Sequence, residues 1–173
     1  MLALRGAELA ESGWLPADIV AELDRVRRQS GVFLTVDQYE HLLRSGRVSR
    51  GKAWLAGMLD VKPILTLDGD GKVVPLDRAR GREAVLRQVL ALLEQRLTPR
   101  PKVVRFGVVH ADAPEVAERV RNALVSVYRP RDCFVALATG VLATHVGTGA
   151  WAVFYQVEDG TPTRLGPEGS GDA

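Results

Sequence analysis

The chain has 173 residues, 46% hydrophobic and 25% charged, with a formal net charge of +2. That length supports one hydrophobic core with appendages, and the charge is too small to argue for a nucleic-acid partner. Only 6% of the residues are aromatic, so Val, Leu, Ile and Ala must fill the core.

Leu15 and Pro16 open a helix with Ile19, Leu23 and Val26 on one face. It ends in Arg25, Arg27 and Arg28, where cations suit the negative end of a helix dipole. Residues 1–13 read as the continuation of an earlier helix. From Gly31 a βα pattern begins. Residues 32–36 read as a strand, and Asp37 with Glu40 three residues on reads as a capping box for a short helix that Ser45-Gly46 breaks. Residues 52–59 read as a second helix. Residues 63–67 and 72–76 are two strands flanking Asp68-Gly69-Asp70-Gly71, a hairpin signal. A calcium loop would need further oxygen ligands and a closing Glu that are missing.

Residues 82–96 carry Val85, Leu86, Val89, Leu92 and Leu93 at helical spacing, and Pro99 and Pro101 stop them. Residues 103–109 are an apolar strand. Asp112, Pro114 and Glu115 open another helix, with Val116, Val120, Ala123, Leu124 and Val127 on its face. Residues 133–138 and 150–157 are the last strands, and the Gly- and Pro-rich residues 159–173 are expected to be disordered. Six strands and about four helices in mixed order predict an α/β (α+β) fold. The expected form is a two-layer sandwich, a mixed sheet of about six strands with helices on one face. The hairpin makes at least one strand pair antiparallel.

Cys133 is the only cysteine. No intrachain disulfide can form, and its apolar run makes a buried, inert thiol the better reading. No stretch approaches roughly 18 apolar residues, and the early acidic residues do not fit a secretory signal. A cytoplasmic location is expected, with no stable membrane insertion.

Three segments resist explanation as core, helix face or simple turn. In residues 43–50 the arginines Arg44, Arg47 and Arg50 surround a glycine, so the backbone can aim guanidinium groups at an anion. On the residues alone a solvated basic loop is the better reading. Arg78, Arg80 and Arg82 alternate just ahead of a helix and could dock an acidic partner or a phosphate. Residues 139–150 form a connection of about a dozen residues with three glycines and three threonines around His145, and such long loops tend to be functional. A structural loop with a satisfied histidine remains open there. His110 lies at a strand end where α/β sites gather, although helix-entry chemistry explains its surroundings. Gly-x-Ser-x-Gly, Walker, His-Glu-x-x-His and Cys-x-x-Cys patterns are absent.

In this order the segments resemble the C-terminal half of the DegV family. The resemblance is carried by Leu42-Leu43-Arg44-Ser45-Gly46-Arg47-Val48-Ser49, Lys62-Pro63-Ile64-Leu65, Arg80-Gly81-Arg82, His110-Ala111-Asp112 and Thr144-His145-Val146-Gly147-Thr148-Gly149-Ala150. It runs from about Gly31 to Tyr155. It implies the C-terminal lobe of a two-lobed α/β fold that holds a long-chain fatty acid without any other cofactor. It further implies that the lobe presents the carboxylate to the catalytic subunit of a fatty acid kinase, and so is not itself an enzyme. Arg47 and His145, with Thr144 and Gly147, would face the carboxylate; Arg80 or Arg82 would belong to the partner-docking surface. Each buried methylene gives about 0.8 kcal/mol, so the tail would supply most of the affinity and the polar head the orientation.

Three departures bear on this. Ser45 replaces the first glycine of the family's Gly-Gly-Arg, and Val146 and Thr148 stand where Thr and Pro are usual. The N-terminal lobe is not in this sequence. Residues 1–30 then read as a helical remnant of that lobe and residues 31–158 as the lipid-binding lobe. The chain is expected to be truncated, with its missing lobe supplied by a separate chain or by self-association. The alternatives are a protein-interaction remnant without ligand, and a phosphotransferase-type enzyme with His145 or His110 as base.

Overall fold

The structure of the protein is a computed structural model that describes residues 1–37, 39–44, 60–161 and 163. Among these the chain runs α1 (Leu2–Glu11), α2 (Pro16–Arg28), β1 (Ser30–Thr35), α3 (Tyr39–Arg44), β2 (Val61–Leu67) and β3 (Val73–Arg80). It continues with α4 (Arg82–Arg96), β4 (Val104–His110), α5 (Pro114–Tyr128), β5 (Asp132–Leu137), α6 (Gly140–Val146) and β6 (Trp151–Val157). Arg47, the expected helix over residues 52–59 and residues 164–173 of the expected tail lie outside the described residues.

The α/β reading stands. The strands form one mixed sheet in the order β3-β2-β1-β6-β4-β5. β4 and β5 pair in parallel, and the pairs β3–β2, β2–β1, β1–β6 and β6–β4 are antiparallel. A parallel neighbour needs a long crossover, which α5 supplies; the β2–β3 pair needs only a tight turn. Asp68 builds that turn. Its Oδ1 accepts from the backbone N–H of Asp70 at 3.0 Å and of Lys72 at 2.8 Å, and Gly71 takes φ +78°. The Asp68 carboxylate is thus occupied by its own backbone, as an Asx turn requires.

Strand alternation divides the side chains between two faces. Phe33, Ile64, Phe106, Val108, Val153 and Tyr155 meet Val85, Val89 and Leu93 of α4 and Ala117, Val120 and Leu124 of α5 in the main core. Fully burying each Val, Leu, Ile or Phe among these is worth about 1.5–3 kcal/mol. On α5 the buried face is Ala117, Val120 and Leu124, and Val127 is 46% exposed. The expected stripe through Val127 is therefore rotated slightly. The N-terminus of α5 also differs from expectation. Asp112 adopts φ +53° and the cap residue is Ala113, whose N–H donates to His110 Nδ1 at 3.2 Å.

Val36, Tyr39, Leu42, Leu65, Ala111, Val146 and Ala150 form a second, smaller cluster where α3 and α6 meet. The opening helices also find partners. Arg105, on β4, is fully buried; its Nη2 lies 2.7 Å from Glu8 of α1, and its Nε 3.0 Å from Asp132 and 3.6 Å from Glu158. Arg131 reaches the same two glutamates at 3.2 and 3.5 Å. On α2, Arg25 donates to Glu22 at 2.7 Å and to the Glu158 carbonyl at 2.8 Å. Buried Leu9 and Val26, together with these charges, tie residues 1–28 to the sheet. Asp159 accepts from the N–H of Val103 at 3.0 Å and of Thr161 at 3.0 Å, so the first residues past β6 are held.

Candidate functional site

The expected loop over residues 139–150 is largely a helix. Thr139 caps α6, its Oγ1 accepting from Leu142 N–H at 3.3 Å, and the chain then turns at Gly147 and Gly149 into β6. A capping threonine followed by Val141, Leu142 and Val146 outweighs the poor helix propensity of Gly140 at the first position. Val146 is buried, while Leu142 stays 42% exposed.

An apolar hollow of about 180 Å³ lies beside α6. Its walls are Val32 and Leu34 of β1, Val109 of β4, Ala152 and Phe154 of β6, and Leu142 and Val146 of α6. The strand residues all alternate away from the main core. They share a register: Leu34 opposes Ala152, and Ala152 opposes Val109. The sheet therefore buries one apolar face under α4 and α5, and part of its other face lines this hollow.

A second hollow of about 330 Å³ is polar, and lies where the C-terminal end of β1 meets the first turns of α4 and α5. Thr35, Asp37, Lys62, Arg82, Asp112 and Gly149 line it, and Trp151 lines both hollows. Asp37 Oδ1 accepts from Lys62 Nζ at 2.9 Å and its Oδ2 from Arg82 Nη2 at 2.5 Å. Burial works against this carboxylate, but the two cations outweigh it and hold its pKa below the ordinary aspartate value. The oxygens expected to cap α3 are thus engaged across the chain. Burial likewise raises the Cys133 thiol above its usual range, with the Arg121 guanidinium pulling weakly the other way. A raised thiol is a poor nucleophile at neutral pH.

The residues expected at a carboxylate site separate as follows. His145 is half-buried on α6. Thr144 is exposed, and its hydroxyl donates to the Gly140 carbonyl at 2.8 Å within the same helix. Gly147 closes α6 with its N–H on the Ala143 carbonyl at 2.8 Å. A Cβ on Gly147 would stand 2.8 Å from the His41 ring, which fixes the approach of α3 to α6. Arg80 is exposed at the end of β3, and Arg82, expected to dock a partner, carries the ion pair with Asp37. Sequence reasoning missed Asp37, Lys62, Thr35 and Trp151 as lining residues. Only Lys62 carried a signal, as the first residue of the Lys-Pro-Ile-Leu strand. Among the described residues no group of three or more His, Cys, Asp or Glu could hold a metal ion, and no helix is long and apolar enough to cross a membrane.

A mixed six-stranded sheet with α4 and α5 over one face, and an apolar hollow beside α6 on the other, defines an α/β protein. Residues 1–158 match the DegV family model, described as "Uncharacterised protein, DegV family", and the chain belongs to that family. It is 31% identical to Protein DegV of Bacillus subtilis over 154 residues, which cover 88% of this chain and 54% of that protein. Among solved structures it resembles a fatty-acid-binding DegV family protein from Thermus thermophilus, with TM-score 0.83 and 29% identity. That match covers 91% of this chain and 56% of the other. It also resembles DegV, a fatty acid binding protein from Bacillus subtilis, with TM-score 0.75 and 30% identity, covering 90% and 55%. The chain spans about half the length of the curated relatives it matches.

Proposed function

We propose that this chain binds a long-chain fatty acid, lays part of the alkyl tail in the apolar hollow, and presents the carboxylate to a partner kinase in the cytoplasm. The observation that carries the reading is the hollow itself, walled by Val32, Leu34, Val109, Leu142, Ala152 and Phe154. Such walls favour hydrocarbon, at about 0.8 kcal/mol for each buried methylene. Sites for drug-sized ligands run to about 300–1,000 Å³. A hollow of about 180 Å³ therefore houses a portion of a long tail.

The family resemblance supports Arg47, His145, Thr144 and Gly147 as the carboxylate end, and Arg80 and Arg82 as the surface that meets the kinase. The lobe presents its ligand and does not transform it. The test is denaturing extraction and mass spectrometry of the purified chain incubated with long-chain acids, beside Arg47→Ala and His145→Ala variants. Retained fatty acid that the two substitutions reduce, with melting unchanged, is the expected result. No retention at any chain length sinks the reading. Charge reversal at Arg80 should lower phosphorylation by the kinase without lowering retention.

A further inference from the structure

We propose that the polar cleft between Thr35, Lys62, Arg82 and the first turn of α5 is a binding site for a tetrahedral oxyanion of the phosphate class. Four observations converge on it, and none depends on the fatty-acid reading. The first is an unmet hydrogen bond. Thr35 lines the cleft at 3% exposure, and its Oγ1 has no hydrogen-bond partner among the described residues. A buried hydroxyl left unpaired is costly, and a ligand oxygen is the natural partner.

The second is the helix end. Ala113, Pro114, Glu115 and Val116 of α5 line the same cleft, and no side chain of the cap residue closes that terminus. Pro114 has no N–H, Ala113 N–H is taken by His110, and Ala117 makes the first helical bond, at 3.1 Å. The N–H groups of Glu115 and Val116 thus have no acceptor within the helix, and the positive end of a 15-residue helix faces the opening.

The third is cationic. Lys62 and Arg82 are fixed by Asp37, at 2.9 and 2.5 Å, and each uses one of several donors on it. The two cations have their geometry set in advance, and face Asp37, Asp112 and Glu115 in the same lining. The fourth is room: about 330 Å³, open enough for a phosphate and its water. Asp112 and Glu115 border the opening and oppose an anion; both are exposed, as is Arg82, so water and salt screen all three and the half-buried Lys62 carries most of the attraction.

Such an oxyanion could be free phosphate or the phosphate head of an alkyl chain, since Trp151 is shared with the apolar hollow. The test titrates the full chain with inorganic phosphate and, separately, with dodecyl phosphate. Calorimetry and phosphorus NMR at fixed ionic strength give the affinities. Saturable binding is expected, weakened about tenfold or more by Lys62→Gln as a charged donor is lost. Thr35→Val should weaken it in the same direction and Glu115→Gln should strengthen it. A dodecyl phosphate affinity at least about tenfold above that of phosphate, with the excess removed by Ala152→Phe, identifies an amphiphile's head. Equal affinities identify the free ion, and either result upholds the site. Absence of saturable binding for both probes overturns it. So does unchanged affinity in Lys62→Gln and Thr35→Val proteins whose circular dichroism and melting match the parent.

Discussion

The carboxylate of Asp37 occupies the space that a side chain on Gly149 would need: its Oδ2 stands 2.5 Å from the ideal Cβ position, and Gly149 has φ +81°. The turn into β6 is thereby closed against the exit from β1, and the same carboxylate holds Lys62 and Arg82. A substitution at Gly149 cannot avoid both the backbone strain and the collision. Gly149→Ala should cost about 1–3 kcal/mol from strain alone, and more from displacement of Asp37. The control is Gly13→Ala, where φ is also +81° but nothing lies within 4 Å. Thermal unfolding should fall further for Gly149→Ala, by roughly 2–4 °C for each additional kcal/mol. Equal losses would mean that the Asp37 contact carries no energy.

Asp37 also sets a pH dependence. Its pKa is lowered in the folded chain, so the folded state favours the charged form relative to an unfolded carboxylate near about 3.9. The stabilisation is fully present above the unfolded value and is lost as pH falls through the folded one. Glu22, held down by Arg25, and Asp159, held down against burial by the N–H groups of Thr161, Lys102 and Val103, act in the same direction. Stability should therefore drop as pH falls below about 4. Asp37→Asn should flatten part of that drop in a series of chemical denaturation curves. A slope identical to the parent's would remove Asp37 from the account.

The strands were legible because each is an apolar or alternating run of five or more residues bounded by Gly, Pro or Asp, and all six appear within a few residues of expectation. The hairpin at Asp68 was legible for the same local reason. Three features were not. The α6 helix is seven residues long and begins with glycine; so short a helix is formed by its Thr139 cap and by packing of Val146, which glycine-rich composition conceals. The buried charges of Arg105, Glu8 and Glu158 are 97 and 53 residues apart in sequence, as their positions show. No periodicity reports on such a pairing, because it exists only once the fold is made. The polar cleft was hidden likewise: Asp37 looked like a helix cap and Arg82 like part of a partner-docking surface, and only the fold brings them together.

Arg105 gives the sharpest stability test. It is fully buried between Glu8, Asp132 and Glu158, and the Glu158 side chain is itself 1% exposed. Removing the buried member of this network leaves the buried Glu158 carboxylate short of a partner, a loss of up to about 3–5 kcal/mol. Arg105→Met should show that loss in chemical denaturation, together with faster amide exchange in α1 and α2, the helices that Glu8 and Glu22 anchor. Combining it with Glu8→Gln should cost less than the sum, by about 0.5–3 kcal/mol. Strict additivity would show that the two residues do not interact in solution.

Filling the apolar hollow separates ligand binding from stability. Ala152 opposes Leu34 on one side and Val109 on the other, and all three line the hollow. A phenylalanine there projects into space that the proposed alkyl tail would occupy. Loss of room for two methylenes removes about 1.6 kcal/mol, or somewhat over tenfold in affinity. The larger side chain faces an open hollow rather than the core of Phe106 and Val153, so the overpacking penalty of about 1–3 kcal/mol should be only partly incurred. Long-chain acids should lose more affinity than short ones, because only the long tail reaches the blocked region. Fluorescence titration with a chain-length series reads this directly. If Ala152→Phe folds normally and binds every chain length as the parent does, the tail does not lie against this face of the sheet.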